Sequence, residues 1–237
     1  EGRRATKGKS IMNFLPLEGE EKITSILAMP KDVKKDELSL MMVTKLGIIK
    51  KVDAESFYSV RRSGLIAIKL GKEDELIVAS FIEKKDTMIL TTKEGQSIRF
   101  DQKDVRAMGR AAGGVRGIKL NKKGDGIVGA CIVEKDCQEP KLLVISSNGF
   151  GKMTSLDEYK IQKRGGSGIK TIKLGPKVGV LIASKVISDQ EEFVAISKKG
   201  QVIRIELKEV PKLGRQTQGV RVMKLRAGDE VASVVVL

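Results

Sequence analysis

One short segment recurs five times, and its recurrence constrains the fold more than any other feature of the chain. The copies are RRATKGKSIMNF (3–14), VRRSGLIAIKL (60–70), GRAAGGVRGIKL (109–120), KRGGSGIKTIKL (163–174) and GRQTQGVRVMKL (214–225). Each sets arginine in a loop of small residues, then a glycine, then a short alternating strand. The anchor glycines Gly8, Gly64, Gly114, Gly168 and Gly219 lie 56, 50, 54 and 51 residues apart. Periods of this size belong to repeat architectures in which one unit cannot bury both faces of its sheet alone.

A second motif runs out of phase with the first: LMMVTKLGIIKKV (40–52), MILTTKEGQSIRF (88–100), LLVISSNGFGKMT (142–154) and FVAISKKGQVIRI (193–205). Each is an apolar strand, a polar turn, a glycine, and a strand carrying Lys or Arg. Gly47, Gly95, Gly149 and Gly200 supply the positive φ that such a hairpin turn needs. Ten residues beyond each stands an apolar residue, Phe57, Val105, Tyr159 or Val210. The loop segment follows, then a turn that is usually acidic (KEDE, KKGDG, RAGDE), then an apolar strand such as LIVASFI or GIVGACIV. Four short strands in about 50 residues is the size of a propeller blade.

The expected fold is therefore all-β: a propeller-like array of repeated four-stranded antiparallel blades. It forms a single domain over 1–237, with a partial blade at 1–29 and blades at about 30–83, 84–135, 136–188 and 189–237. The partial blade would hold the last two strands of a unit. Its start without a leader or an initiator Met reads as a cut within a larger protein. A nucleotide-binding P-loop is excluded, because it would occur once, show G-x-x-x-x-G-K-[ST] and lead into a helix. A flexible linker has no reason to keep register with a hairpin.

Forty-five Lys and Arg stand against 30 Asp and Glu, a net charge of +15, which favours a polyanionic partner. The loop cations are the candidate DNA contacts. The first two copies supply Arg3, Arg4, Lys7 and Lys9, then Arg61 and Arg62. The others supply Arg110 and Arg116, then Lys163, Arg164 and Lys170, then Arg215 and Arg221. Arginine offers phosphate a matching fork, and glycine lets the backbone approach it. The hairpins add Lys50, Lys51, Arg99, Lys152 and Arg204. Aromatic residues are 3% of the chain, too few for the stacking platforms of single-strand binders, so duplex is the expected partner.

There is no histidine, and Cys131 and Cys137 are the only cysteines. That excludes histidine-based catalysis and a zinc site of four N/S ligands. Cys131 reads as a buried strand residue. Tyr58 and Tyr159 read as packing residues, and Asp74, Asp125 and Asp229 occur singly in strand-joining turns. No apolar run approaches the ~20 residues that span a bilayer.

At these residues the chain resembles the C-terminal domain of DNA gyrase A, with the corresponding domain of topoisomerase IV as a close paralogue. The phrases IMNFLPLEGEEKITSILAM, VRAMGRAAGGVRGIKL, SNGFGKMTSLDEYK and GRQTQGVRVMKL carry the resemblance, which covers essentially the whole chain. It implies a β-pinwheel, a disc of four-stranded blades that exchange strands with their neighbours. It also implies DNA wrapping around a basic rim, so that strand passage introduces negative supercoils. The family's gyrase box, Q-R-R-G-G-K-G, belongs to an early blade. The nearest match here is a later loop, Gln162, Lys163, Arg164, Gly165, Gly166, Ser167 and Gly168, with Lys163 for Arg and Ser167 for Lys. Gyrase is favoured over topoisomerase IV because its typical blade phrases are kept throughout. The resemblance further implies no catalysis and no cofactor in this domain, with the nucleophilic Tyr, ATP and Mg2+ elsewhere in the parent enzyme. It implies the rest of gyrase A, together with gyrase B, as partners, no membrane, and a cytoplasmic, nucleoid-associated location. The competing readings are a propeller that docks proteins and an enzyme with its site at the disc centre.

Overall fold

The computed structural model describes residues 8, 10, 13, 15, 21–29, 37–60 and 64–237. Arg3, Arg4, Lys7, Lys9, Arg61 and Arg62 lie outside the described residues. Residues 21–29 carry no strand, although the repeat pattern predicts one in that stretch. None of the described hairpins pairs with them.

Four hairpins form where the turn glycines predict them: β1 (Leu38–Thr44) with β2 (Ile48–Asp53), β4 (Thr87–Thr92) with β5 (Gln96–Asp101), β8 (Lys141–Ser146) with β9 (Phe150–Ser155), and β12 (Glu192–Ser197) with β13 (Val202–Glu206). One turn chemistry serves all four. Each turn glycine donates its N–H to the carbonyl three residues back, at 3.0 Å every time. The hydroxyl of that same Thr or Ser then accepts the N–H that follows the glycine, at 3.0 to 3.3 Å. A short 3-10 turn closes each second strand. Val105, Tyr159 and Val210 then insert at 0%, 1% and 2% exposure, as their fixed offset from the turn glycine predicts.

Each hairpin is flanked on one side by a later strand of its own unit: β3 (Leu76–Glu83) on β1, β7 (Ile127–Val133) on β4, β11 (Leu181–Ile187) on β8 and β15 (Val231–Val236) on β12. The other side is filled by the next unit. β6 (Val115–Arg116) follows the β4–β5 hairpin yet pairs with β2. β10 (Ile169–Lys170) pairs with β5, and β14 (Val220–Arg221) with β9. The sheets read β3-β1-β2-β6, β10-β5-β4-β7, β11-β8-β9-β14 and β13-β12-β15. The molecule is a strand-exchanged β-propeller, or pinwheel.

The core lies in layers between successive sheets. On β4, which is buried from end to end, Met88 and Leu90 pack toward the first sheet, while Ile89 faces the third. On β8, Leu142 and Val144 face back to the second sheet, and Leu143 and Ile145 forward to the fourth. Period-two alternation therefore reads as two apolar faces, as expected for strands covered on both sides. The strands β3, β7, β11 and β15 pack on one another at the inner end of the blades. Beside them the N–H groups of Ile127, Leu181 and Val231 donate to the carbonyls of Lys45, Lys93 and Ser147 of the preceding hairpin, at 2.8 to 2.9 Å. The exchanged strands β6, β10 and β14 occupy the opposite, outer edges.

Candidate nucleic-acid interface

Three of the Arg-Gly loops are described, and they superpose in sequence on Gly114, Gly168 and Gly219. All three glycines are left-handed, with φ of 90°, 70° and 76°. A Cβ on them would stand 2.7 Å from Ile49 O, 2.5 Å from Ser97 O and 2.6 Å from Gly151 O. Only glycine turns the chain here and still lets β6, β10 and β14 pair with the hairpin of the preceding blade.

The loops form one continuous row. The N–H of Lys69 donates to Ala112 O (3.2 Å), that of Lys119 to Gly166 O (2.8 Å) and that of Lys173 to Thr217 O (3.0 Å). Each bond crosses from one loop segment to the next. Arginine side chains reinforce the row: Arg164 Nη1 donates to Arg116 O (3.0 Å) and Arg215 Nη1 to Lys170 O (3.1 Å). Arg164 Nε also donates to Asp104 O at 2.8 Å. These two guanidinium groups are half-buried clasps between neighbouring loops.

The remaining candidates point outward. Arg110, Arg116, Lys163, Lys170 and Arg221 are exposed. The Lys163 ammonium sits 2.9 Å from the Asp104 carboxylate, which raises its pKa, while its side chain stays 86% exposed. Arg221 lies over the Phe150 ring at 5.6 Å, as does Lys177. Such stacking leaves the outer edge of the guanidinium open to an anion.

The hairpin lysines overturn an expectation. Lys50, Lys51 and Lys152 are buried; Lys50 and Lys152 lie under the loops, whereas Lys51 reaches the 3-10 turn that follows β5. Lys152 Nζ donates to Gly214 O (2.6 Å), Arg215 O (2.7 Å) and Thr217 Oγ1 (3.2 Å), so its three hydrogens match three acceptors of one loop. Lys50 Nζ bonds Ala67 O at 2.6 Å and also Arg110 O. Lys51 Nζ bonds Gln102 O and Oε1. Burial drags the Lys152 pKa down to about 8, opposed by Glu158 and helped by Arg215. Burial lowers Lys50 and Lys51 as well. Arg99 is held by Thr87 Oγ1 and Leu156 O, and Arg204 pairs with Glu192 on the surface.

Sequence reasoning passes over Lys69, Lys119, Lys173 and Lys224, all exposed on the same row. The signal is there to be found: four of the five repeats end in Lys-Leu.

Nothing among the described residues resembles a reaction centre. Tyr159 is buried and its phenol pKa is raised by that burial, whereas Tyr58 is 37% exposed, contrary to its reading as a packing residue. Asp74, Asp125 and Asp229 are turn anchors. Asp125 Oδ1, for example, accepts the N–H groups of Glu94 (3.0 Å) and Gly126 (2.8 Å). Cys131 is a half-buried strand residue whose thiol donates to Ser184 O. Among the described residues, no cluster of three or more Asp, Glu or Cys could hold a metal, and no helix is long and apolar enough to cross a membrane.

A succession of sheets that trade their outer strands, with a basic loop on every exchanged strand, defines a class of repeat protein. Within it, the chain belongs to the family described as "DNA gyrase C-terminal domain, beta-propeller", whose model matches residues 1–28, 38–82, 86–133, 140–188 and 191–237. It is 40% identical over 228 residues to the DNA gyrase A protein of Lawsonia intracellularis, covering 96% of this chain and 27% of that one. It is 34% identical to the same protein of Staphylococcus epidermidis, covering 98% and 26%. The chain thus spans about a quarter of the length of these relatives. A solved DNA gyrase A C-terminal domain matches with TM-score 0.82 and 28% identity, over 98% of this chain and 75% of that one. The C-terminal domain of DNA topoisomerase IV shares the fold, with TM-score 0.87 at 23% identity over 97% and 70%.

Proposed function

We propose that this chain is the DNA-wrapping module of a type IIA topoisomerase of the gyrase kind. It bends duplex around its loop row and directs strand passage toward negative supercoiling. The observation that supports this most is the row itself, in which backbone bonds join neighbouring Arg-Gly loops and hold their exposed cations along one outer edge. Duplex DNA carries one charge per ~1.7 Å of axis, so an arc of cations can follow it without reading bases. The exposed residues Arg110, Arg116, Lys163, Lys170 and Arg221 make the phosphate contacts in this reading, joined by Lys69, Lys119, Lys173 and Lys224. Arg164 and Arg215 hold the row together. The five-copy pattern places Arg3, Arg4, Lys7, Lys9, Arg61 and Arg62 in the same role.

The chain neither cleaves DNA nor uses ATP, metal or any other cofactor. Those steps fall to the rest of gyrase A and to gyrase B, in the cytoplasm beside the nucleoid. The test is topological. A nicked circle is ligated with the chain bound, and the linking number is read after its removal. A positive shift is the expected outcome; unchanged linking with tight binding refutes wrapping.

A further inference from the structure

Each hairpin turn meets, at a corner of its sheet, the turn that leads into the inner strand. Three of these corners are built alike and one is not. At each, the N–H that opens the hairpin turn donates to a carbonyl of the joining turn, that of Glu75, Gly126, Val180 or Glu230. The residue before that carbonyl is Asp74, Asp125 or Asp229 in three corners and Gly179 in the third sheet. Each aspartate accepts two backbone N–H groups, one of them from the hairpin turn. Ion pairs also tie the two turns in those corners: Lys45 to Glu75 (3.5 Å), Lys122 to Glu94 (2.6 Å) and Lys198 to Glu230 (2.6 Å).

The two turns of the third corner contain no carboxylate. Gly179 has a φ of 78°, and a Cβ there would collide with the Ser147 hydroxyl. That hydroxyl accepts the Val180 N–H at 3.3 Å, and Asn148 Nδ2 donates to the carbonyls of Pro176 (3.1 Å) and Lys177 (3.2 Å). The amide fixes the backbone from which Lys177 reaches over the Phe150 ring, its ammonium 5.6 Å from the centroid. Phe150 opens β9, at the position that Ile48, Gln96 and Val202 hold in the other hairpins. Arg221 comes from the exchanged strand to the same ring, also at 5.6 Å. The two charges therefore stand at most twice that distance apart, a span of about three successive phosphates of one strand at ~3.4 Å each along the axis. Both side chains are exposed. The fold does not demand Asn148, Phe150, Lys177 and Gly179 at these places, because three corners close without them.

We propose that this third corner is a phosphate anchor on the duplex path. Lys177 and Arg221, seated on Phe150, grip neighbouring backbone phosphates more tightly than the three corners built on aspartate. The wrap is pinned there, and those corners release first as salt rises. The inference rests on the DNA reading above; it adds Lys177 as a contact and Phe150 as a positioning residue. At the other corners a phosphate competes with a carboxylate for the lysine, whereas here it meets cations already ordered on an aromatic base, so less side-chain freedom is lost on binding.

Gel shifts of the 237-residue chain on one duplex, between about 50 and 200 mM salt, test the anchor. Lys177→Ala is expected to lower the slope of log K against log salt by about 0.9, and the affinity at about 0.1 M by about five- to tenfold, with an unchanged melting point. Lys122→Ala and Lys45→Ala, which remove lysines already paired with carboxylates, do less than half as much. Phe150→Ile gives β9 the residue that opens β2. In that background Lys177→Ala costs no more than about twofold, because the ammonium has lost its seat. A Phe150 that only packs would leave the lysine's effect at full size. The comparison of the three lysines needs no change to a packed residue and stands by itself if Phe150→Ile folds poorly. Equal effects at the three lysines, or a full Lys177 effect without Phe150, overturns the anchor and leaves DNA binding by the row intact. A wild-type chain whose duplex affinity ignores salt overturns both.

Discussion

Lys152 separates scaffold from contact surface, and Lys152→Met is the perturbation that shows it. Methionine keeps most of the volume but has no donor, so Gly214 O and Arg215 O lose charged hydrogen bonds of 2.6 and 2.7 Å. Leaving two such carbonyls unmet costs about 2–6 kcal/mol. Against that, the ammonium is held at a pKa of about 8 instead of 10.5. Full relief of that penalty would return ~3 kcal/mol, of which solvent screening leaves roughly half. The net expectation is a loss of about 0.5–4.5 kcal/mol, and at roughly 2–4 °C per kcal/mol for a chain of this size a melting point lower by roughly 1–18 °C. The sign with pH is equally specific. Between pH 8 and 10.5 the unfolded chain holds the proton that the folded chain gives up, so wild-type stability gains a rising contribution there, and the variant lacks it. The slope of log K against log salt, in contrast, stays unchanged, because Lys152 sits beneath the loop and reaches no phosphate. A gel-shift series between about 50 and 200 mM salt, paired with thermal melts, checks both. A slope smaller by about one unit with an unaltered melting point would mean that the lysine swings out to the DNA, and the buried assignment would fail.

Arg221→Ala should do the opposite, lowering the salt slope by about 0.9 and weakening all duplex sequences alike while the melt stays put. Loss confined to one sequence would replace wrapping with base readout. Gly168→Ala places a methyl 2.5 Å from Ser97 O at φ of 70°; strain of this kind costs ~1–2 kcal/mol before the contact is counted, so calorimetry should show a clear drop. Asp229→Asn should flatten the acid limb of stability. The Ser197 hydroxyl holds this carboxyl below its ordinary pKa, so its contribution is present above pH ~4 and lost as pH falls through the folded value. Acid titration of wild type and variant by circular dichroism compares the two, and coincident curves would remove Asp229 as an anchor.

The repeat arithmetic carries most of the fold. Turn glycines, the apolar residue ten positions on, and the loop glycines are all backbone requirements, and such requirements are written locally. What stays hidden depends on contacts between distant residues. Lys152 meets Arg215 across 63 positions, and nothing local says that an alternating strand places this lysine under a loop contributed by the next unit. Lys50 and Lys51 escape a sequence reading for the same reason. Tyr58 and Tyr159 both follow hairpins, but Tyr159 holds the fixed offset of ten from its turn glycine and is buried, while Tyr58 stands one residue past that offset and is exposed. The Lys-Leu ending of the repeats is legible but looks like solvated strand ends until the backbone chain of Lys69, Lys119 and Lys173 places it on the rim.

Because strands are traded, a stretch of sequence and a layer of the disc are different objects. Excising residues 140–188, one tidy segment of the repeat, would strip β8, β9 and β11 from one sheet and pull β10 out of its predecessor, while β14 would lose the hairpin it completes. Damage is shared by neighbouring layers. Blades of this architecture can be gained or lost only with a cut made out of step with the sheets, and a force that peels one of them free must first undo its neighbour.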